Sequence, residues 1–332
     1  MHSNNNHNER VLDISLFDDN DKKKPYSQLL VEITNKFCTL FRNNDQEAYA
    51  EINVDSHKEI WAIKSRGFKM WLSEQFHILT DKGINSNSLK DALSTIEAKA
   101  VFKGEYKEAN LRVAQTQDAI YIDICNDNWE VIKVTKSGYQ ILKESPVAFI
   151  RSNGMQPLVK PQSGGNIEML EELINVKSED FPLLVGWLLM TMQAGEGALP
   201  ILILMGEQNT GKSEISTMLR QLSDPHSSPI RTLPTKEDHL AVMAFNNYVM
   251  ALDNLSGITP SYSDFLCCCS TGASQSKRQH YADTDEILIK IKRPIIANGI
   301  DDIARRGDLA SRSVIINLPT LSNDKRKSKK EL

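Results

Sequence analysis

The stretch LPILILMGEQNTGKSEISTML, residues 199–219, constrains this chain more than any other. Ile201 to Met205 form an unbroken apolar run, the pattern of a strand buried on both faces in a parallel sheet. The run leads into Gly206, Glu207, Gln208, Asn209, Thr210, Gly211, Lys212 and Ser213, which spell G-x-x-x-x-G-K-[ST]. Ile215, Met218 and Leu219 then recur at helical spacing. Strand, glycine-rich turn and helix in this order predict a phosphate-binding loop. Glycines let backbone N–H groups close around phosphate oxygens, and the positive end of the helix faces the anion. Lys212 is expected to reach the β- and γ-phosphates of ATP, and the Ser213 hydroxyl to ligate Mg²⁺.

Forty-one residues beyond Lys212, in YVMALDNLSGI (248–258), an apolar run reaches Asp253. Alone, an apolar run ending in Asp-Asn is an ordinary strand end. After a phosphate loop it places a carboxylate at the carboxyl edge of a parallel sheet, where such sheets bind ligands. Asp253 is then the expected second Mg²⁺ group. A second acid commonly follows the first in ATPases, and here that position is Asn254. KRPIIANGIDD (292–302) repeats the pattern, with Pro294 to Ala297 ending in Asn298. An Asn-Gly pair by itself is a turn signal. In this order, Asn298 falls where ring ATPases carry a polar residue that touches the γ-phosphate or the attacking water. Fourteen residues later, Arg312 sits between a polar turn and an apolar run. Alone it reads as a surface salt bridge; in sequence with the rest it is a candidate arginine finger.

Between those strands, SKRQHYADTDEILIKIK (276–292) alternates, turns at Ala282 to Asp285 and alternates again, which predicts a β-hairpin. Lys277, Arg278, His280 and Tyr281 give it a basic, aromatic flank. A solvated hairpin and a nucleic-acid contact both fit.

Upstream, residues 1–25 are rich in Asn, Asp and Lys and predict a disordered tail. Residues 26–151 mix periods. AYAEINV and KEIWAI alternate like paired strands, Phe68, Trp71, Leu72, Phe76 and Leu79 mark one helix, and Leu89, Leu93, Ile96 and Ala100 mark another. This predicts a small α+β accessory domain. The Pro-, Gly- and Ser-rich stretch 152–166 reads as a linker, 167–320 as the α/β P-loop domain, and 321–332 as a basic tail. A net charge of −4 gives no global attraction to nucleic acid, so any such contact needs a local basic surface. No apolar run approaches the roughly 18 residues of a membrane span. FPLLVGWLLMTM (181–192) is too short and predicts a buried helix, and the chain reads as cytoplasmic. The five cysteines and seven histidines lack metal-ligand spacing.

These motifs, in this order, resemble a superfamily 3 helicase, the AAA+-type ATPase of viral, phage and plasmid-like replication proteins. The similarity is greatest to the branch in phages and integrative elements that is often fused to primase-polymerase domains. GEQNTGKS, ALDNLSGI, STGASQSKRQHYADTDE, RPIIANGIDDIARRGDLASR and VIINLP carry the resemblance. GFKMWL, ALSTIEAKAVF, YIDICNDNWEVIKVT and SGYQIL extend it upstream, so that it covers residues 45–320. It implies an AAA+ core acting in DNA replication as a homo-oligomeric ring, a hexamer. Gly206 to Ser213 would bind nucleotide, with Ser213 and Asp253 at Mg²⁺, Asn298 sensing the γ-phosphate and Arg312 acting in trans. Lys277, Arg278, His280 and Tyr281 would touch single-stranded or forked DNA in the pore.

Two departures temper the resemblance. Asn254 cannot act as a general base, although the nearest branch also resembles Asp-Asn here. The chain also stops at NDKRKSKKEL, where the family continues into capping helices, and it carries no primase-polymerase domain. A fragment, a short paralogue, or an accessory to a longer helicase or a primase-polymerase would each look like this. Two further readings stand beside the helicase: a nucleotide-binding regulatory module with weak hydrolysis, and a defence-type P-loop ATPase that never threads DNA.

Overall fold

The computed structural model describes residues 17, 24–54, 57–195, 197–278, 286–300 and 303–321. The chain divides into two compact units. The first takes in residues up to 110 together with 127–132 and 140–151. The second takes in 111–126, 133–139 and everything from 152 onward, so it recruits chain from well before the linker-like stretch.

In the first unit the order is α1 (Tyr26–Phe37), β1 (Cys38–Arg42), β2 (Ala48–Val54), β3 (His57–Ala62), α2 (Arg66–Thr80), α3 (Ser86–Lys103), β4 (Glu105–Tyr106) and β5 (Ala109–Asn110). The sheet order is β3-β2-β1-β4; β1 to β3 are antiparallel and β4 runs parallel to β1. Period-two alternation sorts β2 between two faces. Ala50, Ile52 and Val54 join the three helices through Leu29, Leu30, Phe68, Leu72, Phe76 and Ile96, while Tyr49 turns to Phe41 and Ile60. Side chains fix the helix starts: Ser65 accepts from Phe68 N–H at 3.1 Å and Asn85 from Ser88 N–H at 2.9 Å.

β6 (Val113–Gln115) and β7 (Ile120–Asp123) pair antiparallel in the second unit. The strands β8 (Val131–Thr135) and β9 (Gly138–Leu142) each lie across the division, and β10 (Ala148–Phe149) pairs with β5 in the first unit. The second unit continues with α4 (Glu168–Leu173), α5 (Phe181–Thr191), β11 (Ile201–Met205), α6 (Lys212–Ser223), β12 (Arg231–Thr232), α7 (Glu237–Asn246) and β13 (Met250–Leu255). It closes with α8 (Pro260–Thr271), the strand pair β14 (Ser274–Arg278) and β15 (Glu286–Lys290), β16 (Ile295–Gly299), α9 (Gly307–Ala310) and β17 (Ser313–Asn317). Its main sheet is wholly parallel in the order β12-β13-β16-β11-β17, which puts the phosphate-loop strand inside and between two others. Ile201 and Ile203 face Leu240, Ala244, Phe265 and Leu266 of α7 and α8. The buried Leu202 and Leu204 point to the opposite face, where α5 lies against β17 and α6 against β13 and β16. This is the α/β sheet between helices that the apolar runs predict.

Residues 111–126 join this unit through charge. Arg112, wholly buried, donates from Nε to Asp224 Oδ1 at 3.0 Å and from its other nitrogens to the carbonyls of Asp123, Gln156 and Pro225. Arg220, on the last turn of α6, donates to Asp224 Oδ2 at 3.2 Å and to Asn247 Oδ1 at 2.8 Å, and Val249 N–H donates to Asp224 Oδ2.

Three expectations change. The helix α5 is only half buried: Phe181, Leu184 and Trp187 face inward, whereas Leu183 and Leu189 are 50% and 59% exposed. Its composition is apolar all round, but it forms the outer layer over one sheet face. Asn298-Gly299 is not a turn; both residues are buried within β16. Asp253 does not end its strand, because β13 runs on to Leu255. The tail at 1–25 lies outside the described residues except for Phe17, Lys24 and Pro25, and the basic tail does so except for Leu321. Among the described residues no helix is long and apolar enough to cross a membrane.

Candidate nucleotide-binding site

The loop after β11 turns at the edge of the sheet where its parallel strands end. Asn209, at φ +62°, and Gly211, at φ +87°, hold left-handed backbone. Glycine adopts that conformation without strain, and asparagine is among the few other residues that tolerate it. Thr210 is buried and its hydroxyl donates to the Glu207 carbonyl at 3.0 Å, closing the loop on itself. Lys212 opens α6, and its Nζ donates to the carbonyls of Gly206 at 2.8 Å and Glu207 at 2.6 Å. Partial burial lowers the pKa of this ammonium, and the Asp253 carboxylate works the other way.

Ser213 Oγ–H donates to Asp253 Oδ1 at 2.7 Å, bringing together the two oxygens predicted as the metal pair across forty residues of chain. Both are hard oxygen donors. Mg²⁺ is usually held by one or two protein oxygens, with phosphate and water supplying the rest, so this pair fits that ion.

A β-bulge aims Asp253. β13 and β16 are in register at Leu252↔Ala297, then shift so that Leu255 pairs with Gly299. An extra residue in one strand bends it locally, and such bulges re-aim a side chain. Asn254 takes the left-handed conformation there, at φ +55°, with its side chain exposed. Its N–H donates to Asn298 Oδ1 at 3.0 Å, and Asn298 Nδ2 donates to Ser216 Oγ at 3.0 Å. The backbone N–H can only donate, which fixes which end of the Asn298 amide faces it. Asn298 is 1% exposed and so ties three elements together: α6, the bulge in β13, and its own strand. Gly299 completes the arrangement. A Cβ at that position would lie 2.2 Å from the Leu255 carbonyl oxygen, so the bulged backbone approaches β16 only because no side chain is there.

Lys212, Ser213, Asp253 and Asn298 therefore meet at one edge of the sheet. Arg312 does not join them. It precedes β17 and its carbonyl accepts from Ile201 N–H, at the edge of the sheet opposite the loop that follows Met205. Its Nη1 donates to the Asp308 carbonyl at 2.7 Å. Lys277 and Arg278 lie on β14, paired with Ile287 and Glu286 of β15, while His280 and Tyr281 lie outside the described residues. Ser216 is one site residue that motif reading misses. Its signal is its place three residues beyond Ser213 on the helix, on the face that meets the sheet. Among the cysteines of α8, burial raises the thiol pKa of Cys267 and pushes that of Cys269 up to about 12, which leaves them as inert core side chains.

A family model described as "Actinomycete integrative conjugative element replication protein" matches residues 167–332, half of the chain. No curated protein matches it. Among solved structures, the A form apo structure of the NrS-1 C terminal region is 14% identical, with a TM-score of 0.45; the match covers 87% of this chain and 60% of that one. A second apo structure of the same region is also 14% identical with a TM-score of 0.45, covering 91% and 66%. The present chain thus spans less than two thirds of the length of either.

Proposed function

Since the chain belongs to the family of actinomycete integrative conjugative element replication proteins, we propose that it is an ATP-hydrolysing, ring-forming DNA helicase or translocase acting in the replication of such an element. The observation that carries this reading is the Ser213–Asp253 pair beside the phosphate loop. In this mechanism the loop N–H groups and Lys212 bind the triphosphate, and the bonds from Lys212 to the Gly206 and Glu207 carbonyls give way to phosphate oxygens. Ser213 and Asp253 would hold Mg²⁺, which when bound offsets charge on the phosphates. Asn298 holds the bulge that aims Asp253. Asn254 has no basic group, so water activation falls to Asp253, another carboxylate or positioning, the last of which supplies most of the catalysis in phosphoryl transfer. Arg312, at the sheet edge opposite its own loop, would be offered to the nucleotide of a neighbouring copy in a homohexamer. Lys277 and Arg278, with His280 and Tyr281, would meet single-stranded or forked DNA in the pore.

The test compares DNA-stimulated ATP turnover of the wild type with that of Lys212→Ala and Asp253→Ala. The reading expects turnover to fall at least about 100-fold in each, by loss of charge stabilisation of the transferred group. Equal turnover in all three rejects it. Asn254 in place of an acid favours one second reading, a nucleotide-binding module that hydrolyses weakly within a longer partner's ring. A chain that binds MgATP, stays monomeric on native mass spectrometry and turns over nothing with DNA would decide for that alternative.

A further inference from the structure

Asn175 lies between α4 and α5, far in sequence from every motif above, yet its side chain reaches the phosphate loop. Its Nδ2 donates to the Thr210 carbonyl at 3.0 Å and to the Pro319 carbonyl at 2.6 Å. Both partners are acceptors, so the amide nitrogen must face them, and its two protons suit the two carbonyls. Ile174, the buried residue before Asn175, is anchored by its N–H to Leu170 O, and Leu318 N–H donates to Met205 O on the other side. Asn175 thus spans a fixed gap between the loop and the chain that leaves β17.

The Thr210–Gly211 peptide is planar and trans, so its C=O and N–H point in opposite directions. Drawing the Thr210 carbonyl toward Asn175 turns the Gly211 N–H away from Asn175. Gly211, at φ +87°, allows that orientation at the residue that leads into Lys212. We infer that Asn175 is a positioning residue for nucleotide binding: it locks this peptide plane with Gly211 N–H presented to a phosphate oxygen, and ties the loop to the exit of β17 through Pro319. The inference rests on the nucleotide-binding reading above.

The discriminating variant is Asn175→Asp, which keeps the shape but replaces the doubly donating amide nitrogen with a carboxylate oxygen facing two carbonyls. MgATP affinity is measured by calorimetry for wild type, Asn175→Ala and Asn175→Asp, with thermal melting without nucleotide as the check on folding. Losing the hydrogen bonds should weaken binding about 3- to 10-fold in Asn175→Ala, and the added repulsion should weaken it further in Asn175→Asp. ATP turnover at saturation should stay within about twofold for Asn175→Ala, because the lost interaction holds the loop equally in the ground state and the transition state. If Asn175→Asp fails to fold, the Asn175→Ala affinity decides alone. Wild-type affinity in either folded variant, or Asp binding as well as Asn and better than Ala, overturns the inference while leaving the nucleotide site standing. A wild-type chain that binds no MgATP overturns the nucleotide reading and this inference with it.

Discussion

At the scale of single residues, Asn254 shows how a motif departure can have a conformational cause. The position sits in left-handed backbone at a bulge, a place where asparagine is tolerated far better than most residues. Its exposed side chain and its donated N–H give it a backbone task instead of an acid–base one. Gly299 carries the matching constraint from the next strand. Gly299→Ala should force the Leu255 carbonyl away from β16 and cost about 1–3 kcal/mol in urea unfolding. Because the same bulge aims Asp253, ATP turnover should fall alongside. A variant as stable and active as wild type would show that the approach of the two strands is not needed. Neither Asn254 nor Gly299 announces this in the sequence, where Asp-Asn and Asn-Gly read as strand ends and turns.

At the scale of elements, long apolar runs were legible and charged tertiary contacts were not. The runs at 201–205 and 294–297 and the periodic helices at 66–80 and 86–103 correspond to elements because burial on one or both faces dictates their pattern. The sequence reading puts β6 and β7 in the accessory domain 26–151, whereas they group with the residues from 152 onward. That is decided by Arg112 and Asp224, both wholly buried and 112 residues apart. Truncating one partner of a buried charge network leaves the other uncompensated, so Asp224→Ala should lower stability by about 3–5 kcal/mol. Arg112→Met removes a charge as well as a partner while Asp224 keeps Arg220, and it should cost less. Equilibrium denaturation of both variants checks the order; equal costs would mean that Asp224 stabilises through Arg112, with the bonds to Arg220 and Val249 adding nothing. The apolar α5 is the converse case, since its composition cannot say which side faces solvent.

At the scale of the whole molecule, the proposed action on DNA rests on a local basic surface, because the net charge of −4 supplies no general attraction. Reversing Lys277 and Arg278 to Glu should weaken single-stranded DNA binding and make log affinity fall less steeply with log salt, by about 0.7 in slope for each phosphate no longer neutralised. An unchanged slope in a salt titration would assign the hairpin another role and favour an ATPase that does not thread DNA.

The sequence by itself determined the phosphate loop, the parallel sheet around it and the order of the residues at its edge. These follow from local rules: an apolar run of strand length, glycines where backbone must close on an anion, and a helix start. What only the tertiary structure decided is how those residues face one another. Ser216, Asn175 and Gly299 enter the site through the distance between strands and the direction of one peptide plane. Those are set by hydrogen bonds between residues 35 to 144 positions apart in the chain, and no local pattern encodes them.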